Sequence, residues 1–67
     1  MTLTADTRTK IDRHFNVFKA HFDTDEAYHL MAGYLAALLD FGLIRFEDYV
    51  DSMNEVKTWY GAEVCKL

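Results

Sequence analysis

Three histidines, one cysteine and eleven carboxylates are the side chains of this chain that could carry out chemistry. His21, Asp25 and His29 recur at every fourth residue, a spacing that places ligands on one helix face. Asp23 and Thr24 are capping residues that interrupt the helix between them. No cysteine pair or His-x-x-x-His motif supports zinc, so no metal and no cofactor is expected. Cys65 falls on an expected tail, without the rigid support a nucleophile needs. Paired carboxylates on an exposed helix face are ordinarily solvated. No catalytic residue is assigned, and the chain is read as non-enzymatic.

A different pattern carries the functional expectation. Glu47, Asp51, Glu55 and Trp59 follow one another at i, i+4, i+8 and i+12, with Asp48 beside them. They form one row on the side of a helix away from its apolar stripe. Like charges at this spacing destabilise a helix by a few tenths of a kcal/mol per pair, and no lysine within the row relieves them. Tryptophan is enriched at interface hot spots. The row is therefore expected to bind a basic surface on a larger protein, with charge steering the encounter and the aromatic ring supplying desolvated contact. The bland alternative is a solvated acidic face with Trp59 folded onto the core.

The elements that must position these residues follow from composition and spacing. The chain has 67 residues, 51% hydrophobic and 15% aromatic, with no proline and three glycines. That is too apolar for disorder and too poor in turn residues for hairpins, which favours helices in a single domain. One domain of this size has a barely sufficient core, so association with a partner or a second copy is plausible. A single cysteine excludes an intrachain disulfide and suits a reducing compartment. Residues 1–20 lack a signal-peptide run, and the apolar stretch 30–44 is shorter than the roughly 20 residues of a membrane span. A cytoplasmic protein without membrane contact is expected.

The net charge of −4 is uneven. Residues 1–22 set Arg8, Lys10, Arg13 and Lys19 against Asp6 and Asp12, giving +2, and residues 23–67 set three bases against nine acids, giving −6. The acidic larger part argues against nucleic-acid binding, which depends on clustered Lys and Arg.

Thr4 can cap a first helix over residues 5–22, where Ile11, Phe15, Phe18 and Phe22 fall within about 60° on one face. His14 and His21 border that stripe. A second helix over 25–41 carries Ala27, Tyr28, Leu30, Met31, Tyr34, Leu35, Leu38, Leu39 and Phe41 across half its circumference. One neighbour cannot cover so wide a face, so this helix is central and the first and third sandwich it. Its remaining side holds Gly33, Ala36 and Ala37, which would admit a close backbone, within the chain or from a second copy. Gly42 is placed to end the helix in the left-handed conformation, with Leu43 making the accompanying apolar contact. A third helix over 46–60 buries Phe46, Tyr49, Val50, Met53, Val56 and Tyr60. Gly61 is expected to close it, leaving 61–67 as a tail or an extra turn.

Leu35, Leu38 and Leu39, followed by Gly42-Leu43-Ile44 and Glu47-Asp48-Tyr49, resemble the bacterial short C-terminal domain family. That family is a helical hairpin with a G-x-I-T-x-E-E-[FY] turn, and Arg45 stands where it usually has threonine. The resemblance covers residues 35–57 and implies oligomerisation or interaction rather than a reaction.

The sequence thus predicts a compact all-α three-helix domain with a nearly all-apolar central helix. Its leading function is that of a small acidic regulator or inhibitor of a larger basic, nucleic-acid-handling protein. By size and charge, a phage or mobile-element anti-CRISPR or anti-restriction factor is an example. Two alternatives are a nucleic-acid-binding protein using Arg8, Lys10, Arg13 and Lys19, and a structural homo-oligomer built on Gly33, Ala36 and Ala37.

Overall fold

The computed structural model describes residues 5–66, which form three α-helices: α1 Ala5–His21, α2 Thr24–Asp40 and α3 Phe46–Cys65. The expected Thr4 cap and residue 67 lie outside the described residues. The α1–α2 join is two residues, which forces the helices antiparallel. Asp23 makes it: its backbone is extended, and its Oδ1 accepts the Glu26 N–H at 2.8 Å. That bond, from a free first-turn amide, holds the Asp23 carboxyl below the ordinary aspartate range.

Between α2 and α3 the chain turns through Gly42, whose φ of 72° is the positive one among the described residues. The Gly42 N–H donates to the Leu39 carbonyl at 3.0 Å and the Leu43 N–H to the Leu38 carbonyl at 2.9 Å. These two bonds define a Schellman motif and satisfy carbonyls that the end of α2 would leave open. On the far side, the Arg45 N–H donates to the Asp48 carboxylate at 3.1 Å. This is half of a capping box; the guanidinium has no acceptor with which to return the second bond. The resulting α2–α3 hairpin follows from this turn chemistry and does not by itself assign a family.

α2 is central, as its width demands. α1 and α3 both pack on it, and the core is Ile11, Met31, Leu35, Ile44, Met53 and Val56, with Ala27 buried beside them. Phe15, Phe18, Tyr28, Tyr34 and Tyr49 pack half-buried around this core. His14 belongs to this layer: its ring stacks on Tyr34 at 4.4 Å, and its Nδ1 lies 2.8 Å from the Lys10 carbonyl oxygen.

Two expectations are corrected, and one alternative is narrowed. Gly61 does not end α3, which runs to Cys65; a glycine without positive φ, followed by Ala62 and Glu63, gives the helix no reason to stop. Phe46 and Val50 are not in the buried stripe: Phe46 is 65% exposed and Val50 is exposed, while Ser52 is buried in their place. On a helical wheel the inward face is turned by about 50° from the expected one. Finally, Gly33 has no packing reason inside the chain. It is exposed, and a Cβ there would meet nothing within 4 Å.

Two local features set opposite expectations for stability. Gly42→Ala forces a side chain into a left-handed conformation and is expected to cost about 1 kcal/mol. The Ser52 hydroxyl is buried with no hydrogen-bond partner, so Ser52→Ala is expected to stabilise the fold by about 1 kcal/mol. Urea unfolding followed by circular dichroism measures both.

Candidate protein-interaction surface

The rotation of α3 decides which predicted residues remain available. Turning its inward face toward α1 brings Glu55 and Trp59 within reach of α1 side chains. Arg8 Nη2 reaches Glu55 Oε1 at 2.8 Å and Oε2 at 2.9 Å, while its Nε lies 3.4 Å from Asp12. The bond to Glu55 raises the Arg8 pKa further. Both side chains are about half exposed, so the pair contributes less than about 1 kcal/mol. Trp59 is half-buried, its ring set edge-on to Phe15 with centroids 5.4 Å apart. These side chains join α1 to α3.

The acidic row is therefore divided by the fold. Asp48 is occupied at the helix start, and Glu55 and Trp59 tie α3 to α1. Glu47 and Asp51 stay exposed, with Glu47 Oε2 3.2 Å from Arg45 Nε. At the other end of α3, the Tyr60 hydroxyl donates to Asp25 Oδ1 at 2.6 Å and its ring lies against Tyr28. The carboxylate pushes the Tyr60 pKa up.

Three of the four basic side chains of α1 lie against other groups of this chain. Arg8 pairs with Glu55 and Asp12, Lys10 Nζ lies 3.1 Å from Asp6, and Lys19 Nζ stands 4.1 Å over the Phe15 ring. Arg13 points to the opposite, solvent side, where Thr9, Asp12, Asn16, Val17, Ala20 and His21 line a shallow open depression. All of these belong to one helix, so the depression has a single wall and encloses nothing. Among the described residues no group of three His, Cys, Asp or Glu side chains could hold a metal ion, and no helix is long and apolar enough to cross a membrane.

Where the acidic row is depleted, an apolar surface appears that the sequence had placed in the core. Leu43 is 63% exposed and Phe46 65% exposed, with Val50 one turn further along α3. The Phe46 ring is stacked against that of the half-buried Tyr49, centroids 6.3 Å apart. Helical phase puts Phe46 and Val50 on the flank of α3 opposite Glu55, so α1 cannot cover them. Leu43 follows the Schellman glycine, its N–H bonded to the Leu38 carbonyl while its side chain stays exposed. Glu47 and Asp51 border this patch on the outer side of α3.

The self-association residues also separate. Gly33 and Ala37 are exposed, whereas Ala36 is half-buried. Leu30, at 40%, and Phe41, at 78%, are exposed on the same side. Phe41 keeps the phase of α2 because its N–H still donates to the Ala37 carbonyl at 3.0 Å.

Comparison of the chain with family models, curated proteins and solved structures returns no significant match.

The two aromatic residues that exchanged places differ in what they support. Trp59→Ala removes a half-buried ring between α1 and α3 and is expected to cost about 2 kcal/mol. Phe46→Ser removes a mostly exposed ring and is expected to change stability by less than about 0.5 kcal/mol. Midpoints of urea unfolding distinguish them.

Proposed function

We propose that this chain is a non-catalytic protein-interaction module, a small acidic regulator or inhibitor of a larger protein. It engages that protein through Leu43, Phe46 and Val50, with Glu47 and Asp51 at the margin. The observation that carries this reading is the exposure of Leu43 and Phe46 on a turn fixed by hydrogen bonds at both ends. Apolar groups on so rigid a support lose little conformational freedom on binding. A contiguous apolar surface rimmed by charge is the ordinary mark of a docking site.

The charge describes the partner. Glu47, Asp48 and Asp51 lie along the first turns of α3 against Arg45, and the chain carries −4 overall. A surface of basic residues around an apolar hollow complements this patch, with charge raising the association rate and the apolar contact holding the complex. Proteins that handle nucleic acid present such basic surfaces, which keeps a phage or mobile-element inhibitor of host nucleic-acid machinery as the biological setting that suits the module.

Affinity capture from the native host with the wild-type chain and with Phe46→Glu tests this. The wild type is expected to retain a specific protein that Phe46→Glu loses at least about tenfold, since one buried aromatic anchor is worth more than 1.4 kcal/mol. Glu47→Lys with Asp51→Lys is expected to weaken capture and flatten its salt dependence. Retention unchanged by Phe46→Glu would remove the patch from the binding site.

A further inference from the structure

We infer that the outward face of α2 is a self-complementary interface, through which two copies of this chain pair antiparallel about a twofold axis between Gly33 and Ala37. This goes beyond the patch on α3 and does not depend on it.

α1 and α3 leave one side of α2 open along its whole length. Its exposed residues are Glu26, His29, Leu30, Gly33, Ala37 and Asp40, continued by Phe41. Helical phase sorts them into two edges and a centre. His29 and Asp40 run along one edge, eleven residues or about three turns apart, and Leu30 and Phe41 run along the other at the same separation. Gly33 and Ala37 occupy the middle, at the middle of the length. His29 and Asp40 are about 16 Å apart along the axis, too far to meet within one helix.

A twofold axis perpendicular to the helix, centred on residue 35, reverses the direction of the second copy and keeps each edge on its own side. It carries Asp40 of the second copy opposite His29 and Phe41 of the second copy opposite Leu30. By symmetry both pairs form twice. Gly33 then lies against Ala37 of the second copy, and these small residues do no more than let the backbones approach. Every feature of the face meets its complement: apolar against apolar along one edge, carboxylate against imidazole along the other. Antiparallel helix dipoles add to the fit. Glu26, the remaining acid of the face, is carried toward the α2–α3 turn of the second copy, where Arg45 stands.

The burial pattern supports the same occupant. Phe41 is the most exposed large apolar residue of the described chain and Leu30 is 40% exposed, and each lacks cover that the other supplies. Gly33 has open space around its Cβ position, so the glycine is unexplained within one copy and explained by a backbone from another. A single helix face of this length buries less than a standard interface of about 1,600 Å², so a dissociation constant on the order of tens of micromolar is expected.

Sedimentation equilibrium of the full chain, from about 5 to about 500 µM so as to bracket that constant, is expected to show a monomer–dimer equilibrium. Gly33→Leu, which the open space tolerates in the monomer, is expected to weaken it at least tenfold with unchanged circular dichroism. Asp40→Lys is expected to weaken it severalfold, and adding His29→Glu to Asp40→Lys to restore it. Phe46→Ser is expected to leave self-association unchanged, so this inference and the proposed function fail separately. A monomer across the whole range overturns the inference. So does a dimer that is indifferent to Gly33→Leu and to the charge exchange.

Discussion

A central helix that is apolar over about half its circumference, with only two neighbours to cover it, is the constraint on which this structure depends. α1 and α3 close around Met31 and Leu35 and leave the third side of α2 open. Six core side chains are few, and none is aromatic. The aromatic rings are used as half-buried joints between helices, and much of the apolar surface of the chain stays outside. A domain of this size has no further layer with which to cover it.

The orientation of α3 follows from that shortage. A helix resting on α2 alone would bury the flank of Phe46 and Val50. Here two of its side chains also reach α1, Trp59 against Phe15 and Glu55 to Arg8. The rotation adds these two side-chain links between α1 and α3, whose backbones do not pack on each other. Its consequence is that the apolar residues nearest the α2–α3 turn face outward, on a segment held rigid by the Schellman bonds and the Asp48 cap. Structure and surface are thus coupled: the contacts that stabilise the bundle also create its exposed patch.

The number and nature of the helices, the centrality of α2 and the left-handed Gly42 were legible in the sequence, because periodicity and turn chemistry are local signals. The helix join at Asp23 was legible for the same reason, whereas the Asp48 cap came only with the structure. The rotation of α3 was not. Its stripe of Phe46, Tyr49, Val50, Met53, Val56 and Tyr60 is a good amphipathic pattern. So is the alternative of Tyr49, Ser52, Met53, Val56, Trp59 and Tyr60. Tertiary neighbours select between them, and those are long-range facts. One signal was present: Phe41, Leu43, Ile44 and Phe46 crowd a short turn, and such a turn cannot send four large side chains inward. Ile44 alone is buried. The members of the acidic row share a helix face but not a neighbour, and that division could not be read from spacing alone. The angular match of His29 and Asp40, of no use within one helix, acquires meaning only once the open side of α2 is seen.

Trp59 is the sole tryptophan of the chain and reports directly on the orientation of α3. The most direct measurement is its fluorescence in the native chain, with emission position and acrylamide quenching compared between folded and urea-unfolded protein. Packing against Phe15 requires emission shifted to the blue of the unfolded chain and quenching several-fold weaker, with both differences lost on unfolding. Native emission and quenching equal to those of the unfolded chain would place Trp59 in water and contradict the rotation on which the exposed patch depends.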